Sequence, residues 1–554
     1  LSMPYIFHFH IMEFAMYKLK LFLYCLFIVT IFSLSGCNGA GDSSSSSVSS
    51  DSEDKYSYKY EGVPIYAQNK SFESYKLTPL SDSKFYALTS AQQEIVADKL
   101  LSTLYFGMPR ADIRTLIDSG KFVKTLQDMI LKSTNNLDEA ETRLNDSGDD
   151  GEFYYSDYPT GAKEVAKILA RFYVLQELDK EYIHYWSAYV LTSTIMFSPA
   201  YELESSHAPN IERVYSFLVR AFRDEYSLKY TTFLHMISDD NWRRFRSPED
   251  NGREMMEIFL QDFDDTKVPL AGKALKNWHL DSDYDTLVIG LNENMEPLKL
   301  FGTEIVDGFD FYRAVVLSSD LTKQVSARLV DIYFPTFTQE QKTAIVSNIV
   351  ASNPNTWQDI LLQIVFSQKY LLESDKPKSA EELFFSVSKK IHFKHRRAFF
   401  NNFADNLNDM NQASMKYKLG RYVEVPLDTQ SFITYHKAVR ENLFISSYND
   451  WSSGWVDEQL LADEIFEGIS SYEHATILEK LIEHLFMSVL ARPATAQERE
   501  LLKNHMLTKE GTYNAPFRIF RDDRSLNERR YAAIIILDYI SRLEQNYRFQ
   551  KVQQ

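Results

Sequence analysis

The feature that most narrows the folds open to this chain is its shortage of backbone breakers. Only 18 Gly and 16 Pro occur in 554 residues, roughly half of the usual share of about 12%. Sheets consume glycine and proline at every turn, whereas long helices exclude them. Bulky side chains point the same way, because 38 Phe, 34 Tyr and 6 Trp supply wide apolar faces. The chain is therefore expected to be mainly α. With 44% hydrophobic and 25% charged residues, it has the composition of a globular protein. Its length allows about two to four domains, or one large body with appendages. The net charge of −17 argues against a nucleic-acid partner, since phosphate binding needs a cationic surface that releases counterions. The 2 cysteines exclude a disulfide scaffold and a thiolate zinc cluster.

The N-terminus carries an address. Lys18 and Lys20 precede Leu21–Leu34, an apolar run of 14 residues. That length suits a signal-peptide core of about 7–15 residues and falls short of the about 20 that a transmembrane helix needs. Residues 1–36 are read as the signal peptide, with the true start at Met16. Leu34-Ser35-Gly36-Cys37 resembles a bacterial lipobox. The small residues suit the peptidase, and the Cys37 thiol is the nucleophile for a diacylglyceryl group. Further acylation, palmitate included, would make the anchor multi-chain and stable where a single chain is marginal. Cys37 is thus the expected lipidation site. The protein is expected at the cell membrane or outer membrane, lipid-anchored and extracytoplasmic, with the membrane as its first partner. Cys25 lies inside the signal, so no thiol chemistry remains. Residues 37–60 form the lipidated start and a tether, with Ser43–Ser47 unbroken and Asp51, Glu53 and Asp54 beyond. Such composition stays solvated and disordered.

Beyond the tether, apolar residues recur at helical spacing. A capping box at Ser90–Gln93 leads into Ile95, Leu100, Leu101 and Leu104. Further helices are predicted from Thr160 through Leu175, and at Val214–Phe222, Arg253–Phe263, Ser326–Phe334, Trp357–Leu372, Ile477–Leu490 and Tyr531–Leu543. Thr338 with Gln341 and Thr495 with Glu498 form two more capping boxes. Thr286–Ile289 and Leu300–Val306 flank polar turns and are expected to pair as one small β-hairpin. Arg421–Val425 is a short strand candidate. Thr134–Glu152 reads as an exposed acidic connection. The charged segment Glu373–Glu382, with Pro377, reads as a boundary between a helical domain at 61–372 and a C-terminal helical region at 373–554.

One stretch resembles a known family. Asn251-Gly252-Arg253-Glu254-Met255-Met256-Glu257-Ile258-Phe259 resembles the N-Y-A-R-E-x-M-E-L-F motif of a large secreted bacterial family, domain of unknown function eighteen hundred. Ala274-Leu275-Lys276-Asn277-Trp278 resembles its A-L-T-G-W, and Lys299-Leu300-Phe301-Gly302 stands at its K-x-x-L-G turn. Phe106-Gly107-Met108-Pro109 resembles its opening helix corner, so the likeness spans Lys99–Leu372. It implies candidate motif residues Arg253, Glu254, Glu257 and Trp278, and a secreted sulfatase-like protein as a possible partner. It implies no cofactor. The chain departs from the pattern where the family has W-H-x-H-F, since Trp186-Ser187-Ala188-Tyr189-Val190 fills that place.

The residues themselves leave two functions open. Glu254 and Glu257 share a helix face, and Arg253 can reach the carboxylate four residues on. They would serve a metal-dependent hydrolase with His235 or His279, or they would form a buried ion pair that fixes packing. Glu181-x-x-His184 and Glu204-x-x-His207 have di-metal spacing, but Pro199 and Pro209 bracket the second. His392-x-x-His395 precedes Arg396 and Arg397, a context that suggests a solvated face. No metal and no catalytic residue is assigned. The favoured reading is a non-enzymatic, lipid-anchored helical scaffold or assembly protein, with the hydrolase as the alternative.

Overall fold

A computed structural model describes residues 59–145, 162–196, 211–281, 286–290, 296–395, 397–409, 414–415, 433, 454–456, 464, 474–507 and 527–552. The signal, Cys37, the tether, Arg421–Val425 and Glu204–His207 lie outside the described residues. Residues 59–554 cluster as one unit.

The chain is mostly helical. It begins with α1 (Asp82–Tyr86), α2 (Ser90–Tyr105), α3 (Arg110–Asp118), α4 (Phe122–Met129), α5 (Leu137–Asn145), α6 (Ala162–Val174) and α7 (Lys180–Thr192). Then follow α8 (Ile211–Arg223), α9 (Leu228–Met236), α10 (Asp239–Arg244), α11 (Pro248–Leu260) and α12 (Val268–Ala274). Two short hairpins intervene, β1 (Trp278–Leu280) with β2 (Leu287–Ile289) and β3 (Leu298–Leu300) with β4 (Thr303–Ile305). The series resumes with α13 (Gly308–Leu317), α14 (Asp320–Tyr333), α15 (Gln339–Ala351), α16 (Trp357–Val365) and α17 (Ala380–Lys390). A third strand pair joins β5 (Phe393–His395) to β6 (Gly454–Val456), on either side of α18 (Arg397–Asp409). The described chain closes with α19 (His474–Leu490), α20 (Ala496–Met506) and α21 (Asn527–Ser541).

The helix starts follow local chemistry. Thr338 with Gln341 and Thr495 with Glu498 close capping boxes, as their spacing predicts. The box of α2 is made by Thr89 and Gln92, one residue before the expected start. Ser379 with Glu382 makes another at α17. Inside the expected acidic connection, Ala140 and Leu144 stand four apart on α5 and are both buried, which makes that stretch a helix. The two β segments pair with other partners than expected, each in its own antiparallel hairpin. Phe301 and Gly302 both adopt positive φ, 51° and 73°. A two-residue connection with that geometry lets β4 fold straight back on β3, so Leu298–Leu300 completes a hairpin before Leu287–Ile289 can be reached.

The charged segment Glu373–Glu382 is largely buried. Ser374, Lys376, Lys378, Glu381 and Glu382 are all buried. Lys376 Nζ sits 2.6 and 2.9 Å from the two Glu382 oxygens. Lys390 pairs with Asp98 of α2, and Lys99 donates to the Ser374 carbonyl with its ammonium 4.8 Å from the Tyr370 ring centroid. The C-terminal end lines the same seam, with the Lys378 amide donating to the Tyr547 carbonyl at 2.9 Å and the Phe549 amide to Lys376 at 3.0 Å. Sequence composition alone reads such a stretch as solvated. Here the lysines are covered because a counter-charge, a carbonyl or a ring lies beside each.

Breaking a buried pair on one side leaves a stranded charge, at about 3–5 kcal/mol. Asp98→Leu should therefore destabilise strongly in denaturant unfolding, and Asp98→Leu with Lys390→Met should recover most of the loss. Additive losses in the double variant would show that the pair is not coupled.

Burial lowers the Lys378 ammonium from its ordinary 10.5 to about 8. Between those values the unfolded chain holds the proton and the native chain does not, so this group makes stability rise with pH. Lys378→Met should flatten the rise measured between about pH 8 and about 10.5. An unchanged slope would refute the burial argument.

Candidate functional site

Helix α11 carries the candidate motif, and its construction decides which residues face solvent. Ser247 caps it by accepting the Asp250 amide at 3.2 Å, Pro248 opens the first turn, and Glu249 and Asp250 oppose the helix dipole. Met255, Met256, Ile258, Phe259 and Leu260 are buried. That face fixes the rotation, and Arg253 is turned outward. Its Nη2 reaches Asp250 Oδ1 at 2.6 Å, one turn back, with 44% of its side chain exposed. The expected pairing of Arg253 with Glu257 is replaced by this surface pair. Glu257 is half-buried, and the Arg328 guanidinium takes its backbone carbonyl at 2.6 Å. Glu254 is half-buried too, and burial, followed by the charges of Glu257 and Asp250, pushes its carboxyl above the usual range.

Trp278 is buried and belongs to a polar-aromatic relay. It stacks on Trp242 with centroids 5.9 Å apart and meets Tyr312 edge-on at 5.4 Å. Trp242 Nε1 donates to the Tyr312 hydroxyl at 3.0 Å, and that hydroxyl donates to Asn251 Oδ1 at 2.8 Å. Asn251 Nδ2 in turn donates to the Phe245 carbonyl at 3.3 Å. The side chain of Asn251 is therefore used at both ends inside an apolar core. Next to it, Gly252 allows α12 to approach, since a Cβ there would stand 2.5 Å from that of Ala271. Asn251, Gly252 and Trp278 are thus explained by packing.

The histidines do not converge on these carboxylates. His235 is buried near Phe259, with ring centroids 6.3 Å apart. Burial, then the charge of Arg244, lowers its pKa to about 3. His279 is exposed on β1. Glu181 and His184 part company, with Glu181 accepting from Arg223 at 2.8 Å and His184 Nδ1 facing Gln358 Nε2 at 3.2 Å. The expected solvated face at His392 and His395 is also corrected. His395 packs 4.0 Å from the Phe399 ring centroid with its nitrogens out of solvent. His392 Nε2 lies 3.1 Å from Glu464 Oε1, whose other oxygen is 3.5 Å from His484 Nε2. Glu464 had no partner that short-range spacing could reveal. Among the described residues no group of three or more His, Cys, Asp or Glu is arranged to hold a metal ion.

One carboxyl missed by sequence reasoning is Glu164 of α6, pushed up to about 7 chiefly by burial. It accepts the Glu212 amide at 3.2 Å and so caps the first turn of α8. Comparison of the chain with family models, curated proteins and solved structures finds no match.

The geometry ranks the motif substitutions. Glu257→Ala and Arg253→Ala should each shift thermal unfolding by under about 1 kcal/mol, as exposed or half-exposed charges do. Asn251→Ala should cost about 2–3 kcal/mol, because it removes the acceptor of the buried Tyr312 hydroxyl and the side-chain donor to the Phe245 carbonyl. The reverse order in measured stabilities would refute the relay.

Proposed function

We propose that this chain is a membrane-anchored extracytoplasmic lipoprotein whose helical body acts as a scaffold or interaction protein. The observation that carries this reading is the order of its parts. A signal core and the lipobox Leu34–Cys37 are followed by a serine-rich tether, and the folded unit begins at Lys59. A lipidated cysteine would hold the body at the bilayer, and the tether would let it search the surrounding space. Among the described residues no helix is long and apolar enough to cross a membrane, so the lipid at Cys37 is the attachment proposed. The packing roles of Asn251, Gly252 and Trp278 support a binding body, because motif residues committed to the core leave Glu254 and Glu257 as the candidate carboxylates. The likeness to a secreted bacterial family suggests a secreted sulfatase-like protein as one partner to test.

The experiment is a comparison of the native chain with Cys37→Ser in detergent-phase partitioning and by mass spectrometry of the N-terminus. The native protein should enter the detergent phase with an acylated, processed Cys37. Cys37→Ser should remain unprocessed or become aqueous. A processed Cys37→Ser protein that still enters the detergent phase sinks the reading.

A further inference from the structure

We propose that the cleft between α6 and α8 is a binding site for a small phosphate-bearing ligand. The inference goes beyond the anchored scaffold and does not depend on the anchor. The cleft encloses about 250 Å³, room for roughly eight waters at about 30 Å³ each. A phosphate with a short organic body fits that space. Two other cavities, of about 10 and 30 Å³, have room for no more than water.

The lining is cationic in a chain whose net charge is −17. Lys167 and Arg171 stand four apart on α6, and Arg220 and Arg223 three apart on α8. Both spacings put each pair on one helix face, and the two faces look into the same cleft. Cations in a last turn offset the helix dipole, which accounts for having arginines at the end of α8. It does not account for Lys167, which lies mid-helix, nor for the convergence of both helices. Glu141 and Glu212 are the carboxylates of the lining and Glu181 pairs with Arg223, so four cations against three carboxylates leave one positive charge in excess, at Arg220. That excess draws an anion, and the guanidinium forks favour an oxyanion such as phosphate.

The donors are held in place before any ligand arrives. The Arg171 guanidinium lies 5.2 Å from the Tyr185 ring centroid, donates to the Tyr185 hydroxyl at 3.0 Å and pairs with Glu141. Arg223 is tied to Glu181 through Nε and Nη2, at 3.1 and 2.8 Å. Lys167 stands 3.3 Å from Glu212. Arg220 is exposed and, among the described residues, makes no ion pair. A fixed fork at Arg171 with a free one at Arg220 suits an oxyanion, which guanidinium groups grip through parallel N–H donors. Preorganised donors reduce the ordering cost of binding.

The test uses the full chain in detergent micelles and isothermal titration with inorganic phosphate, and with succinate as a dicarboxylate of equal charge. Saturable phosphate binding is expected, weakened about tenfold or more by Arg220→Ala and further by Arg220→Glu. Arg220 is exposed, so thermal unfolding of both variants should match the native chain. Lys323→Glu, an exposed charge change on α14, should leave binding intact. The proposal is overturned if phosphate does not bind saturably, if succinate binds and phosphate does not, or if Arg220→Glu binds phosphate as tightly as the native chain.

Discussion

The structure depends on burying ammonium groups. Lys99, Lys376, Lys378 and Lys390 lie inside the body, where an unpaired charge would be prohibitive. Each is covered by a group from a distant part of the chain. Asp98 on α2 meets Lys390 on α17, Ser374 meets Lys99, and Phe549 lies against Lys378 with its ring centroid 5.4 Å from the ammonium. A hydrophobic seam would tolerate sliding and rotation. A seam in which each lysine has a fixed counter-charge, carbonyl or ring restricts the register, because sliding would strand a lysine. The N-terminal helices, the segment after α16 and the C-terminal end are thereby joined in a single arrangement.

A second constraint works by shape and hydrogen bonding around α11. Trp242, Tyr312 and Asn251 pass donor to acceptor through the core, and Trp278 fills the space beside them. This explains why a motif that looks chemical is structural at Asn251 and Trp278. A buried amide between an aromatic hydroxyl and a backbone carbonyl specifies one packing of α10, α11 and α13. It leaves the charged members of the motif, Arg253 and Glu257, outside the core.

The two constraints leave the α6–α8 face differently composed. There Arg223 pairs with Glu181 and Lys167 with Glu212, Arg220 is exposed, and space remains between the helices. Cations committed to the seam already have their counter-charges inside the protein. Those of the cleft are only partly neutralised, which is the condition for meeting an external anion.

Much of the architecture was legible in the sequence, because helix formation is local. The scarcity of Gly and Pro, the recurrence of Leu100, Leu101 and Leu104, and the boxes Thr338–Gln341 and Thr495–Glu498 involve residues within one or two turns of each other. What tertiary structure alone decided was the fate of the charges. Glu373–Glu382 is charged in composition and largely buried, because its partners Lys99, Tyr547 and Phe549 lie far away in sequence. Arg253 has Glu257 at ideal helical spacing and yet pairs with Asp250, because the apolar residues of α11 set its rotation. Lys167–Arg171 and Arg220–Arg223 are visible as spacings, but only the packing of α6 against α8 turns them to one cleft. Spacing along a helix determines which residues share a face, while the environment of that face is set by what packs against it.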